Sequence, residues 1–186
     1  VVAVHVTAVP AGCGAGMLNQ FIERREDALM KRTERRPLPA RRVTPGEALA
    51  AGVLLSAVGV ALLYVAGDIL SGAIAPVTSV SYLLLYTPLK KLTPAATPVG
   101  GIPGALPPVI GWTVVRDSVG VEAALLFLIL FAWQMPHFYS LAWLYRKDYA
   151  RAGYAVLTVR DESGGRTAAR TVAWSALLVP LGAALY

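Results

Sequence analysis

Six long apolar segments follow one another along this sequence, and they constrain the fold more than any other feature. They cover residues 1–22, 46–66, 72–88, 98–115, 119–145 and 169–186. A helix needs about 20 mostly apolar residues to cross the hydrocarbon core of a bilayer. Because 56% of the residues are hydrophobic and only 15% are charged, a soluble domain could not bury this apolar surface. The sequence therefore predicts an all-α, polytopic transmembrane helical bundle with about six spans.

Both ends of the chain fall inside apolar segments. The sequence begins at Val1 within one apolar run and stops at Tyr186 within another. It contains no repeat, no low-complexity tract and no separate polar block large enough for a soluble domain. We therefore expect a single membrane domain over residues 1–186 that is truncated at both ends.

Basic residues are concentrated in three polar connections, at 23–45, 89–97 and 146–168. Sixteen of the 17 Lys and Arg residues lie in or at the edges of these connections, and Arg116 lies on the opposite side. This placement between apolar blocks argues against nucleic acid as a partner, despite the net charge of +6. By the positive-inside rule the three connections face the cytoplasm. We expect a multi-pass protein of the inner (cytoplasmic) cell membrane, in contact with membrane lipid.

Two local patterns predict where helices begin and break. The run Thr44-Pro45-Gly46-Glu47 is typical of a helix N-terminus, and it predicts a helix that continues to residue 66. The run GGIPGALPP at 100–108 interrupts an apolar segment. Irregular backbone at membrane depth is tolerated where it is buried in protein or lines a cavity. We expect a cavity beside this break; the alternative is a kinked helix that packs closely through its small residues.

An acidic segment at the end of the first apolar block carries the strongest chemical signal. Asn19, Glu23 and Asp27 are spaced four residues apart, which places their side chains along one helix face. Mg²⁺ prefers oxygen ligands and usually binds through one or two carboxylates together with substrate phosphates. The pattern predicts a magnesium and diphosphate site. The alternative is a solvated helix end whose acids pair with neighbouring cations such as Arg24 and Lys31.

Two cationic runs lie close to this segment on the same predicted side of the membrane. One is KRTERR at 31–36 and the other is the pair Lys90 and Lys91. Arginine can grip phosphate oxygens in a bidentate manner, and lysine acts as a point charge. We expect both runs to face a diphosphate. Positive-inside charge in contact with anionic lipid is the alternative interpretation of each run.

Polar residues also occur in and after the fifth apolar segment. The runs WQMPHF at 133–138 and YRKDYARAG at 145–153 follow one another closely. Asp148 is expected to face Asp27 across the bundle as a further metal ligand. Two interpretations of His137 remain open. Its side chain forms a hydrogen bond with Gln134 or a backbone carbonyl, or it acts as a porphyrin ligand or a base.

These motifs carry a resemblance to a known family. The pattern N-x3-E-x3-D from Asn19 to Asp27, followed by MKRT at 30–33 and RPLP at 36–39, resembles the first motif of the UbiA-type intramembrane prenyltransferases. The ordered runs TPLKKLTP, GALPPVIGW, WQMPHF and YRKDYARAG resemble the haem-farnesylating branch of that family. The likeness covers nearly the whole chain. It implies a bundle of about nine helices around a central cavity, of which this sequence holds roughly the second to the seventh.

The resemblance also implies an activity and its residues. The expected reaction is the Mg²⁺-dependent transfer of a farnesyl group from farnesyl diphosphate to a vinyl side chain of haem b, which gives haem O for terminal oxidases. The implied metal ligands are Asn19, Glu23, Asp27 and Asp148. The implied catalytic residues are Asp27, Glu23 and Lys90. The implied diphosphate contacts are Arg32, Arg36, Lys90, Lys91 and Arg146. The residues expected on the haem side are Trp133, Gln134 and His137.

One position departs from the broad family pattern. The second motif usually has two acids, whereas Leu144 stands four residues before Asp148 in this sequence. This departure favours the haem branch over the quinone-type members. Two alternatives remain: a UbiA-type enzyme with another aromatic acceptor, and a membrane transporter or haem-binding protein without catalysis. Proteins of haem synthesis or oxidase assembly are the expected partners.

Overall fold

The structure is a computed structural model that describes the backbone of residues 2–184 and the side chains of residues 8–184. Residue 1 of the first predicted span and residues 185–186 of the last lie outside the described residues. The fold is all-α, and no strand occurs between residues 2 and 184. The prediction of an all-helical architecture is confirmed.

The helices follow one another with short connections. In chain order they are α1 (Val2–Ile22), α2 (Arg24–Asp27), α3 (Pro45–Ala66), α4 (Ile69–Val80), a π-helix (Ser81–Tyr86), α5 (Thr87–Leu92), α6 (Ala96–Ala105), α7 (Pro107–Arg116), α8 (Val121–Leu144), α9 (Arg146–Arg151), α10 (Leu157–Arg160) and α11 (Gly165–Ala183).

Four helical stretches in the described part of the chain are long and apolar enough to cross a membrane. They are Pro45–Ala66, Ile69–Leu92, Ala96–Arg116 and Val121–Leu144. The four central spans predicted from the sequence are therefore confirmed in position. The second of them is longer than expected, because the π-helix and α5 continue α4 without a break. α1 and α11 coincide with the first and last predicted segments but do not belong to this group of four.

Small residues allow α1 to pack closely along α3. A β carbon added at Gly59 of α3 would lie 2.2 Å from the backbone nitrogen of Ala11, and one at Gly14 of α1 would lie 2.4 Å from Ser56 Oγ. Such close contacts are typical of helix pairs in membranes, where small residues let the backbones approach. The α1–α3 pair thereby holds the end of α1 in a fixed place, and with it the acidic residues that follow Ile22.

The predicted helix start at Thr44 and the predicted break near residue 106 both occur. The Thr44 hydroxyl accepts a hydrogen bond from the Glu47 backbone N–H, and the Glu47 carboxylate accepts one from the Thr44 N–H. α6 ends at Ala105, and α7 begins at Pro107. The interrupted span lines a cavity, as expected from the requirement that irregular backbone be shielded from lipid.

The π-helix was not predicted from the sequence. Within it the rings of Tyr82 and Tyr86 stack, with their centroids 5.6 Å apart. The Thr87 backbone N–H donates to the Tyr82 carbonyl, which is the i→i+5 bond of a π turn. π turns occur frequently at functional sites. Here the segment leads directly into the lysine pair of α5.

The three basic connections meet at one end of the bundle. Met30 of the first connection packs with Ala152, Tyr154 and Val156 of the third in one buried cluster. The Ala155 N–H donates to the Lys90 carbonyl at 2.7 Å, which joins the third connection to α5. Because the sequence predicts that all three lie on one side of the membrane, their assembly into one surface agrees with the charge pattern.

Candidate active site

A polar cavity of about 220 Å³ lies where the three basic connections meet. Its lining includes six charged or amide residues that the sequence predicts for the site, namely Asn19, Glu23, Asp27, Arg32, Arg36 and Lys90. α1 ends at Ile22, and Glu23 stands between α1 and α2 with a non-helical ψ of 9°. The backbone bonds from Glu23 to Asn19 and from Asp27 to Glu23 nevertheless continue the helical spacing, so that all three side chains face one space.

Glu23 is the most heavily hydrogen-bonded side chain of the cavity. Its Oε1 accepts from Lys90 Nζ at 2.8 Å and from the Tyr154 hydroxyl at 3.0 Å. Its Oε2 accepts from Lys90 Nζ at 3.0 Å and from Asn19 Nδ2 at 2.9 Å. The carboxylate is buried, and a buried charge needs a partner charge and further hydrogen bonds to be tolerated. Three separate elements supply those donors.

Asp27 forms the second ion pair of the cavity. Its Oδ2 lies 2.8 Å from an Arg36 guanidinium nitrogen, and its side chain is 1% exposed while that of Arg36 is 34% exposed. Burial raises the pKa of Asp27 above its ordinary value, and the Arg36 hydrogen bond and charge oppose this shift without cancelling it. The Thr33 hydroxyl donates to the Asp27 backbone carbonyl at 2.8 Å and stabilises the turn that places Arg36 next to Asp27.

Aromatic rings hold the cations of the cavity in place. Lys90 Nζ lies 4.6 Å from the centroid of the Tyr86 ring. The Arg32 guanidinium lies 5.1 Å from the Tyr145 ring and 6.0 Å from the Tyr149 ring. Cations over aromatic faces are stabilised by the ring quadrupole. The polar cavity therefore combines two acids with positive side chains that are held at its wall.

Three of the residues predicted to bind the metal or the diphosphate are not brought to this cavity. Lys91 pairs with Glu26 at the surface. Burial raises the pKa of Glu26, but the Lys91 hydrogen bond and the charges of Lys91 and Arg25 together bring it below its ordinary value. Arg146 lies over the Trp143 ring, 4.3 Å from its centroid, because α8 ends at Leu144 and the chain turns away before α9.

Asp148 also lies outside the cavity lining. Its Oδ2 accepts from the Arg32 backbone N–H at 3.4 Å, and its Oδ1 is 3.2 Å from Arg151. The bond to the Arg32 N–H ties α9 to the first basic connection, whereas the Arg151 contact lies within α9. Within the part of the chain that the structure describes, no three His, Cys, Asp or Glu side chains form a group that could hold a metal by themselves. The metal-ligand role of Asp148 stays a prediction.

A second cavity, of about 420 Å³, adjoins the polar one and is lined mainly by apolar residues. The two cavities share Tyr82, Tyr86 and Phe138 in their linings. The apolar cavity runs beside the break between α6 and α7. A β carbon at Gly100 would lie 2.4 Å from the Tyr86 ring, so a larger residue there would displace this ring from its place between the cavities. Cavities of this volume are large enough for small-molecule ligands.

The three residues expected on the haem side separate onto two faces of α8. Gln134 lines the apolar cavity, and its Nε2 donates to the Leu130 and Gly101 carbonyls at 3.1 and 3.4 Å. Trp133 and His137 are exposed on the outer face, where their rings stack with centroids 5.3 Å apart. His137 therefore lies away from both cavities.

Sequence reasoning missed three residues that the structure places at the site. The Thr87 hydroxyl is 3.0 Å from Asn19 Oδ1, Tyr82 lines both cavities, and Tyr154 donates to Glu23. A threonine three residues before Lys90, about one helical turn away, was a usable signal for the first. No local pattern indicated Tyr154, because its contact with Glu23 joins residues 131 positions apart.

Comparison with known proteins identifies the family of this chain. The model of the UbiA prenyltransferase family matches residues 1–186. This chain belongs to the UbiA prenyltransferase family. With its four apolar spans, this UbiA family member is a multi-pass membrane protein.

Several curated UbiA relatives are similar over most of the chain. A protein named protoheme IX farnesyltransferase from Salinibacter ruber is 50% identical over 94% of the chain and 62% of its own length. Proteins of the same name from Solibacter usitatus and Koribacter versatilis are 48% and 45% identical over 90% of the chain, which corresponds to 58% and 54% of their lengths. The chain therefore spans little more than half the length of these relatives. No solved structure matches it.

Proposed function

We propose that the full-length protein carrying this chain transfers a farnesyl group from farnesyl diphosphate to a vinyl side chain of haem b, which forms haem O. Prenyl transfer is supported by one observation, the pair of adjoining cavities. The polar cavity suits the diphosphate end of a prenyl diphosphate, and the apolar cavity suits its hydrocarbon chain. The choice of haem b and farnesyl rests on the similarity to relatives named protoheme IX farnesyltransferase.

Asn19, Glu23 and Asp27 are the residues that would hold Mg²⁺ in this reaction. They offer two carboxylates and an amide oxygen in one polar cavity. This donor set fits a metal that completes its coordination with water and substrate phosphates, and it needs no third acid. When bound, Mg²⁺ would supply positive charge to the diphosphate oxygens.

The cations of the cavity would act on the leaving group. Arg32, Arg36 and Lys90 face the same space as the acids, so they are placed to bind the diphosphate. Their charge favours cleavage of the C–O bond, in which the diphosphate leaves with the electron pair and an allylic cation remains. The rings of Tyr82 and Tyr86 lie at the boundary with the apolar cavity and would stabilise this cation by their faces.

The acceptor completes the reaction. The vinyl group of haem b supplies two electrons for the new C–C bond, and the cation that results on the former vinyl group is captured by water, which loses a proton and becomes the product hydroxyl. An apolar lining excludes bulk water from the first cation until the acceptor attacks.

The membrane setting follows from the charge pattern. Three basic connections at one end of the bundle support a cytoplasmic active site in the inner membrane, because such loops are retained on the cytoplasmic side. Farnesyl diphosphate would reach the polar cavity from this side. Contacts with proteins of haem synthesis or oxidase assembly are part of the same proposal.

Product analysis tests the acceptor directly. Membranes that contain the full-length protein are incubated with haem b, farnesyl diphosphate and Mg²⁺, and the pigment is extracted for mass spectrometry. We expect haem O, and we expect its formation to stop when the divalent metal is chelated. Formation of a prenylated hydroxybenzoate in parallel incubations, with no haem O, would assign the protein to a UbiA activity with another acceptor.

Filling the apolar cavity tests whether it receives the prenyl chain. Gly111 lines this cavity, and a β carbon added there meets no atom within 4 Å, so Gly111→Leu adds a side chain without a clash at its first atom. We expect farnesyl transfer to fall about tenfold, which corresponds to roughly 1.4 kcal/mol. Transfer of the shorter geranyl group should fall less.

Gly16→Leu is the matched control for this substitution. A β carbon at Gly16 also meets no atom within 4 Å, and Gly16 lines neither cavity. The control should retain activity with both diphosphates. Equal losses of farnesyl and geranyl transfer in Gly111→Leu would show that the prenyl chain does not bind in this cavity.

A further inference from the structure

Tyr154 lies in a short segment that is fixed to two neighbouring elements. It follows Gly153, whose φ of +73° turns the chain back after α9. The Tyr154 N–H donates to the Tyr149 carbonyl at 3.0 Å, and the next N–H, that of Ala155, donates to the Lys90 carbonyl at 2.7 Å. The Tyr154 side chain is 3% exposed and packs with Met30 and Val156. The ring is therefore held at the wall of the polar cavity.

From this position Tyr154 contacts both members of the Glu23–Lys90 ion pair. Its hydroxyl donates to Glu23 Oε1 at 3.0 Å, and its ring centroid is 5.8 Å from Lys90 Nζ. The Tyr86 ring approaches the same ammonium group at 4.6 Å. A tyrosine hydroxyl is ordinarily protonated throughout the neutral range, so Tyr154 donates and Glu23 accepts in this bond.

Each oxygen of the Glu23 carboxylate accepts two hydrogen bonds. Lys90 reaches both carboxylate oxygens, while Tyr154 holds Oε1 and Asn19 holds Oε2. Two fixed donors on opposite oxygens prevent the carboxylate from rotating about its last bond. An ammonium group has three N–H donors, and the two bonds to Glu23 leave one of them for another acceptor. The direction of that third donor depends on the orientation of the carboxylate.

We propose that Tyr154 is a positioning residue of the diphosphate site, which fixes Glu23 and, through it, aims the remaining donor of Lys90 at the diphosphate. This inference rests on the proposed function, because it assumes that a prenyl diphosphate binds in the polar cavity. Tyr154 is not a catalytic residue in this account, since it acts through Glu23 and Lys90.

The substitution Tyr154→Phe removes the hydroxyl and keeps the ring, so the buried cluster around Met30 is retained. The full-length protein is purified in detergent, and its affinity for farnesyl thiodiphosphate, an analogue that ionises slowly, is measured with Mg²⁺ by calorimetry. We expect roughly tenfold weaker binding, as is typical for the loss of one hydrogen bond to a charged group. In the transfer assay the KM for farnesyl diphosphate should rise by a similar factor, and kcat should change less.

A double-mutant cycle tests whether the effect passes through Glu23. In a Glu23→Gln background the further change Tyr154→Phe should weaken binding by less than about twofold, because coupled residues are not additive. Tyr64→Phe is the matched control; Tyr64 is about half exposed on α3 and lines neither cavity. The control should bind like the wild type. Binding is compared at a temperature at which every variant is folded, because Glu23→Gln also breaks the buried ion pair with Lys90.

The outcomes separate this inference from the proposed function. Unchanged affinity and KM in Tyr154→Phe, or a fully additive cycle with Glu23→Gln, would overturn the positioning role. If the wild type binds the analogue but makes no haem O, the haem acceptor is wrong and the role of Tyr154 still stands. If the wild type binds no prenyl diphosphate, this result contradicts both the proposed function and the positioning role.

Discussion

Asp27→Asn is expected to reduce farnesyl transfer by about 10³-fold, or roughly 4 kcal/mol, a loss of the size seen when one preorganised electrostatic group is removed. The substitution keeps the shape of the side chain and removes its negative charge. Asp27 is almost fully buried at the polar cavity and pairs with Arg36, so its charge would act on the proposed Mg²⁺ as well as on the guanidinium. The measurement is haem O formation by membranes at saturating Mg²⁺.

Asp117→Asn provides a control of the same chemistry. Asp117 ends α7 with a left-handed φ of 50°, a conformation that asparagine adopts readily. It lines neither cavity. The control should insert into membranes and form haem O at the wild-type rate, and Asp27→Asn should insert equally well. Retention of haem O formation by Asp27→Asn would exclude Asp27 as a metal ligand.

Lys90→Met is expected to have two effects that can be separated. It removes a cation from the proposed diphosphate site, so transfer should fall by about 10²-fold or more. It also leaves Glu23 charged in a buried place, where the lysine and glutamate side chains are 14% and 6% exposed. Breaking a buried ion pair in this way typically costs about 3–5 kcal/mol of stability. The thermal midpoint in detergent should therefore fall together with the activity.

A compensating substitution distinguishes these effects. Lys90→Met combined with Glu23→Gln removes the unpaired charge, so the thermal midpoint should recover while transfer stays low. Lys91→Met is the matched control, because Lys91 pairs with Glu26 at the surface, where an ion pair contributes about 0–1 kcal/mol. Recovery of transfer in the double variant would exclude Lys90 from the diphosphate site and Glu23 from the metal site, and would leave the pair a role in stability alone. An equal loss of transfer in Lys91→Met would show that Lys91 also acts at the diphosphate site.

The sequence predicted much of the fold, because each of the features concerned is local. Apolar length placed the four central spans, and the Thr44–Glu47 pattern placed the start of α3. The spacing of Asn19, Glu23 and Asp27 predicted that their side chains would face one space, since neighbours along one helix face are set by the helix repeat alone.

Features that depend on helix rotation or loop docking could not be predicted in this way. On α8, Trp133 and His137 share one face and Gln134 and Phe138 share another, because residues four apart are neighbours on a helix. Spacing shows which residues share a face but not which face is inward. Packing with α6 and α11 decides this, and it leaves His137 outside. The contact of Tyr154 with Glu23 likewise depends on how two distant loops dock.

The π-helix at Ser81–Tyr86 makes the site sensitive to the length of the chain as well as to its composition. A π turn holds one more residue than an α turn, and each residue of an α-helix rotates the chain by roughly 100°. Insertion of one further residue here would rotate the chain after it by about 100° and would swing Thr87 and Lys90 away from Asn19 and Glu23. Homologues should therefore tolerate replacements at an outward position such as Leu84 far better than insertions in this segment.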